Sequence, residues 1–299
     1  DMAHQMGITY ICDDDPLYPK NLLEIKSHPI ILTARGNLSA LSKQGVAIVG
    51  TRHASAAGMK FTSDLAQSFA EHNQVVISGM AMGTDTAAHN GALRSDGDVV
   101  TIAVLAGGAD YIWPTENESL YQKIIERGLV ISEMAPGFQP DRTSFARRNQ
   151  WVAGLCDKFI LGEADSKSGS MITTRFAIKY KKPVFAIPSH PSDARASGPN
   201  GLIATGDAII CNGPNDFFGD KSNPKKQKNT HQNDSENDVL DKLGMIPLSE
   251  SVLAELVKKN VVEIKAQLVV LELQGLVKKM DGGYIRIYVH VCQYNVYTK

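Results

Sequence analysis

The chain has 299 residues, of which 43% are hydrophobic and 21% charged, with a formal net charge of −1. That length suits one large domain plus a small one with a real core, and the near-zero charge excludes a long-range basic field. Any affinity for a polyanion must therefore come from a local cluster of cations. The four cysteines, Cys12, Cys156, Cys211 and Cys292, lie far apart and form no C-x-x-C pair. This argues against a metal site or a disulfide framework and fits a reducing, cytoplasmic compartment. No apolar run approaches the roughly 18 residues of a membrane span and no signal-peptide pattern opens the chain, so no membrane partner is expected.

In chain order, residues 1–45 are read as an N-terminal extension packing on the core. Tyr10-Ile11 and Ile30-Ile31-Leu32 suit edge strands, and DDDPLYPKNLLEI suits a turn leading into a short helix. Residues 46–218 then alternate short apolar runs with helical patterns. The runs end at Gly50, Ser78, Leu105, Glu133, Gly162 and Ile187, and each is rich in Val or Ile with no polar face. Such runs are buried parallel strands. Helices are predicted around Gly58–Glu71, Asp85–Arg94, Asn117–Arg127, Ser144–Leu155 and Ser170–Tyr180. The β-α-β order implies an α/β, Rossmann-like, mostly parallel sheet with helices on both faces, whose ligands sit at the carboxyl ends of the strands.

Residues 219–238 carry polar and charged side chains with no large apolar residue, as a flexible linker does. Residues 239–288 follow with three short helical patterns, Val239–Leu243, Ser251–Val257 and Val262–Gln274. Two short apolar runs around the Asp281-Gly282-Gly283 turn signal come next. Three helices and a hairpin predict a small C-terminal winged-helix domain. Its recognition helix offers Lys265 and Gln267 but also Glu263 and Glu272, a poor balance for gripping a duplex, so a protein-contact or regulatory module is expected.

Chemistry concentrates at the predicted carboxyl edge. Gly50-Thr51-Arg52 closes the first core strand, with Ser55 and Gly58 following. Glycine lets backbone approach a phosphate, the next helix N-terminus can offer amides, and Arg52 could grip an anion with two donors. An ordinary strand-to-helix turn with a solvated arginine is equally compatible. G-x-G-x-x-G is absent, so no nicotinamide or flavin cofactor is expected. In SGMAMGTDTAAH, Thr84 or Asp85 is placed as the helix cap, and Asp85 and His89 share a helix face. An acid/base pair is conceivable there, but capping and loop bracing are favoured. In TSFARRNQWVAG, Phe145, Arg148 and Asn149 share one side of a helix with Arg147 beside them, and only Asp141 opposes the arginines locally. Ser168-Gly169-Ser170 with Thr173 opens a further helix. Its hydroxyls and helix N-terminus suit a phosphate nest, and a plain N-cap is the alternative.

Taken in order, GVAIVGTR, VVISGMAMGTDTAAH, TIAVLAGGAD with Trp113-Pro114, SFARRNQWVAGL, SGSMITT, and VFAIPS with SGPNGLI resemble the DNA-processing protein A (DprA/Smf) family, over about residues 18–218. The resemblance implies a Rossmann-like domain that binds single-stranded DNA and forms a homodimer through that domain. It further implies a protein that helps load RecA recombinase in natural transformation, with no catalytic residue, cofactor or metal. By position, Arg52 matches the family's DNA-gripping arginine. Phe145, Arg147, Arg148 and Asn149 match its F-P-x-R-N segment, and Ser168, Gly169, Ser170 and Thr173 its phosphate-holding loop. Ala146 stands where proline is usual, Thr51 where serine is commoner, and Gln150-Trp151 where an arginine and an apolar residue are frequent. A nucleotide phosphoribohydrolase of the lysine decarboxylase-like Rossmann group is the alternative. That group carries P-G-G-x-G-T followed by a glutamate, whereas Arg175 follows the loop here with no acid nearby.

Overall fold

The computed structural model describes residues 5–218, 237–244 and 247–287. Contacts divide the chain into two units, 1–223 and 224–299. In the larger unit the apolar runs become strands because every side chain on them finds a partner layer. In β3 (Gly45–Val49), Val46 and Ile48 face one layer while Ala47 and Val49 face the other. Such two-faced burial requires helices on both sides of the sheet.

The remaining strands are β1 (Ile8–Cys12), β2 (Ile31–Gly36), β4 (Val75–Ser78), β5 (Thr101–Val104), β6 (Gly128–Ser132), β7 (Lys158–Leu161), β8 (Val184–Ala186) and β9 (Ile209–Ile210). They form one sheet in the order β1-β2-β6-β5-β4-β3-β7-β8-β9. β1 and β2 pair antiparallel with each other, and β2 pairs antiparallel with β6. All other pairs are parallel. The chain builds outward from β3 through β6, then restarts on the other side of β3 with β7. Strand order reverses there, and the carboxyl ends around such a reversal are where open α/β sheets bind ligands.

One face carries α1 (Lys20–Leu23), α5 (Arg142–Leu155) and α6 (Gly169–Lys179), which bury Leu22, Trp151, Val152 and Ala177. The other carries α2 (Ala56–Glu71), α3 (Thr84–Leu93) and α4 (Glu118–Arg127), burying Leu65, Phe69, Ala88 and Ile124. The predicted strands and helices recur within two residues of their expected starts. Among the α-helices and strands, three lay outside the prediction: α7 (Ser197–Thr205), β9 and α8 (Asn215–Phe218). Phe217 and Phe218 of α8 pack edge-on against Phe69, at 4.8 and 5.1 Å between ring centroids. Among the described residues no helix is long and apolar enough to cross a membrane.

Residues 5–45 are tied into the same sheet. Asn21 donates to the Leu155 carbonyl at 3.0 Å, and Arg35 donates to the buried Tyr121 hydroxyl at 3.1 Å. That hydroxyl itself donates to the Ala109 carbonyl at 2.6 Å. Of the expected linker, residues 219–236 lie outside the described residues, and Asn237 already opens α9.

The smaller unit holds α9 (Asn237–Lys242), α10 (Glu250–Val257), α11 (Val261–Leu273) and a β10 (Val277–Met280)–β11 (Gly283–Arg286) hairpin. Leu253, Ile264, Leu268, Leu271 and Tyr284 form its core. Three helices and a two-stranded wing are the expected arrangement.

Tyr121→Phe removes one hydroxyl that serves two partners at the β2–α4 contact. Its expected cost is about 1–2 kcal/mol of unfolding free energy, measurable by urea denaturation.

Candidate functional site

The carboxyl ends of β3 and β4, together with α5 and the start of α6, enclose a cleft of about 310 Å³. Gly50, Thr51, Arg52, Arg148, Asn149, Ser168, Gly169, Ser170 and Thr173 all line it. Nine of the eleven residues singled out from the sequence therefore converge. A larger cavity of about 650 Å³ opens at the amino end of the sheet, between residues 16–21 and 38–44, and contains none of them.

Arg52 is exposed, and no ion pair joins it to any described residue. Its guanidinium lies over the Trp113 ring at 5.0 Å and over the Phe145 ring at 6.0 Å. The two rings meet edge-to-face at 4.8 Å. Phe145 thus reaches the site through Arg52 rather than by lining the cleft. A cation resting on aromatic faces keeps its N–H edges available for an anion.

Arg148 faces inward from the helix side that it shares with Phe145 and Asn149. It is only 6% exposed, and its guanidinium donates to the Gly79 carbonyl and, at 2.9 Å, to the Val104 carbonyl. Burial lowers its pKa below the ordinary arginine value, Asp85 opposes that shift, and Arg52 adds to it. The buried Asp85 carboxylate accepts from the Gly79 amide at 3.1 Å and the Ala81 amide at 3.3 Å. Burial pushes the Asp85 carboxyl up, against the pull of Arg148 and of these amides. A Cβ on Gly79 would collide with the Arg148 guanidinium, which explains glycine there. Thr84 and Asp85 do not cap α3. Gly83 stands at that position, with φ of 76° and no side-chain cap.

Arg147 also departs from expectation. It is exposed but donates to Glu133 at 2.6 Å, and it is not among the cleft's lining residues. Glu133 directly follows β6, so this opposing acid is distant in sequence from the arginines.

The two helix N-termini at the edge differ. At α2, Ser55 caps Gly58, and the Ser55 amide and hydroxyl both bond the Glu163 carboxylate, at 2.7 and 2.5 Å. An internal anion therefore occupies the α2 N-terminus, which corrects the expectation that it offers amides to a phosphate. At α6, Ser168 makes no side-chain cap; its hydroxyl instead meets that of Ser170 at 2.7 Å. Helix amides without a cap, beside two hydroxyls, favour an anion.

Asp85 and His89 form no acid/base pair. The His89 Nδ1 lies 2.7 Å from the Thr101 hydroxyl, which itself donates to the Val76 carbonyl. Nδ1 therefore carries the proton, and Nε2 is buried without a partner. Burial, with Arg148 nearby, pushes the His89 pKa down to about 3. Residues that sequence reading missed are Trp113, quoted only as part of a motif, and His53, which lines the cleft. The phosphoribohydrolase alternative needs a glutamate after the Ser168–Thr174 segment, which forms the start of α6, and Arg175 comes next within that helix. Among the described residues no three His, Cys, Asp or Glu side chains gather as a metal site.

A doubly wound sheet with a ligand cleft at its carboxyl edge, joined in sequence to a winged helix, defines a Rossmann-like binding protein with an appended module. Residues 9–221 match the family model described as DNA recombination-mediator protein A, and residues 223–283 that of the DprA winged helix domain. The chain belongs to the DNA recombination-mediator protein A family. It is 40% identical over 199 residues to the DNA processing protein DprA of Streptococcus pneumoniae, covering 67% of this chain and 70% of that one. To Protein Smf of Escherichia coli it is 32% identical over 300 residues, covering 95% and 79%. The match to Protein Smf of Synechocystis, 35% over 248 residues, covers 82% of this chain and spans 56% of the relative's length. Two solved structures resemble it. DNA processing protein A of S. pneumoniae has a TM-score of 0.67 at 38% identity, covering 74% of this chain and 78% of that one. DNA processing protein A of Helicobacter pylori, described with a unique single-stranded DNA binding mode, has 0.65 at 33%, covering 71% and 94%.

Below about pH 6.5 the unfolded chain binds a proton at His89 that the native state refuses until about pH 3. Stability from this group is complete above that window and falls as pH drops through it, by up to about 1.4 kcal/mol per pH unit. His89→Leu is expected to flatten the profile of unfolding free energy between pH 7 and 4.

Proposed function

We propose that the chain binds single-stranded DNA across the carboxyl edge of its sheet, chiefly through phosphates, and serves as a recombination mediator. The observation that carries this reading is Arg52, a guanidinium without an acidic partner among the described residues, seated on two aromatic rings at the mouth of a cleft. A phosphate between Arg52 and the start of α6 meets two guanidinium donors, helix amides and the Ser168 and Ser170 hydroxyls. Neighbouring bases can stack on the exposed parts of Trp113 and Phe145. The reading assigns no catalysis. Asp85 is the one carboxylate among the cleft's lining residues, and it is committed to backbone amides and to Arg148.

The same reading takes RecA recombinase as the protein that receives the bound strand, which places the chain in the cytoplasm. It also takes the protein as a homodimer joined through the Rossmann-like unit. Edge strand β9 supports that surface, because among the described residues it has one sheet neighbour, and it leaves Ile209 58% and Ile210 43% exposed. An apolar, unpaired edge is a ready association site.

Fluorescence anisotropy with an oligothymidylate at two salt concentrations tests the DNA claim. Binding should fall steeply with salt. Arg52→Ala should cost about 1.5–3 kcal/mol of affinity with its melting temperature unchanged. Arg148→Met, in contrast, should lower the melting temperature, because it strips the Gly79 and Val104 carbonyls and Asp85 of a buried partner. Unchanged affinity in folded Arg52→Ala would sink the assignment. For the dimer, Ile209→Lys should shift the mass of the freshly diluted protein toward a monomer in light scattering. A dimer of undiminished strength would rule out the β9 edge.

A further inference from the structure

Helix α11 is where a winged helix that reads a duplex would present polar and cationic side chains to the major groove. In this chain its inner residues Ile264, Leu268 and Leu271 fill the core of the unit. The opposite side is aliphatic. Val262 is 72% exposed, Val269 54%, Val270 42% and Leu273 84%, and Ala266 is also exposed. Four bare aliphatic side chains along one helix form a contact surface rather than scattered surface apolar residues.

The spacing identifies the occupant. Val262, Ala266, Val269 and Leu273 follow one another at intervals of four, three and four residues, the alternation of a coiled-coil seam. Because the other side of α11 is already buried in its own unit, this seam is a second apolar face and asks for a second helix. The seam is also complementary to itself. Turned antiparallel about a twofold axis between Ala266 and Val269, it sets Val262 against Leu273 of a second copy and Ala266 against Val269 of that copy. The small Ala266 permits close approach of the two helices. Beside the seam, Lys265 then lies opposite Glu272 of the second copy, and the pair occurs twice. Lys265 has an acidic neighbour in its own unit, Glu250 at 3.4 Å, but its side chain remains 57% exposed. A twofold contact needs such a patch, since each surface must match its own image.

We propose that the outer face of α11 is a self-association surface, pairing antiparallel with α11 of a second copy. The seam spans 13 residues at most, about 20 Å of helix, so the contact is small and its occupancy depends on local concentration. Chains gathered along one polynucleotide reach that concentration. The contact is separate from the β9 edge, and the two together allow assembly beyond a dimer.

Sedimentation velocity of the full chain over a wide concentration range tests this, with Ile209→Lys as background so that the β9 edge does not contribute. That variant should still associate reversibly. Lys265→Glu or Glu272→Lys alone should weaken association at least tenfold, and the two together should restore it. A merely structural role for Lys265 predicts no such rescue, because the double variant still faces Glu250 with a carboxylate. Leu273→Glu should abolish association, with circular dichroism reporting its fold. Single charge reversals without effect, or a double variant no better than the singles, would overturn the proposal. So would a background variant that stays monomeric throughout or associates only when duplex DNA is added, outcomes pointing to another protein's helix or to a duplex. Loss of association on ending the chain after Ile287, with every seam variant still associating, would likewise overturn it.

Discussion

The buried guanidinium of Arg148 organises the carboxyl edge of the sheet. Carried on α5, it reaches under the carboxyl ends of β4 and β5 and ties the carbonyls of Gly79, just after β4, and Val104, the last residue of β5, to one helix. A cation nearly removed from water is tolerated only when its donors and its charge are both answered. The carbonyls answer the donors, and Asp85 answers the charge while holding the β4 loop by two amides. The floor of the cleft is thus a closed polar network, and the loops above it inherit its rigidity.

That arrangement divides the arginines by task. Arg148 faces inward and is balanced by Asp85, while Arg147 is drawn to Glu133 just past the end of β6. Arg52 stays outside, resting on Trp113 and Phe145. The cleft is less cationic than a count of neighbouring arginines suggests, and on the proposed reading its grip on an anion would rest on one guanidinium, one uncapped helix start and two hydroxyls. The near-neutral overall charge fits a site of this local kind.

Much of the fold was legible in the sequence because its signals were local. Runs such as Val46–Val49 are apolar on both faces, and the helices between them start and stop at recognisable positions. Helix α7 was missed because Gly198, Pro199 and Gly201 disfavour a helix. Pro199 sits in the first turn, where its missing N–H costs nothing, and Leu202 and Ile203 gain from packing. Strand β9 has two residues and carries no pattern of its own. At the site, the convergence of Gly50, Arg52, Arg148 and Ser168–Ser170 was readable from strand order, since parallel strands deliver their following loops to one edge. The orientation of the arginines was not readable. Glu133 and Asp85 lie 14 and 63 positions from Arg147 and Arg148, and neither pairing leaves a trace in local spacing.

Glu163 lies at the start of α2, outside the lining of the cleft. Its carboxylate already holds the Ser55 amide and hydroxyl at the entrance to α2, with Arg195 3.9 Å away. On the proposed reading, a phosphate coming from that side would find the Ser55 donors already taken by a carboxylate. The entrance to α6 has no such occupant among the described residues. On that reading a polynucleotide crossing the sheet would be favoured along the α6 flank, and Glu163, which does not itself line the cleft, would act as a guard rail for the strand.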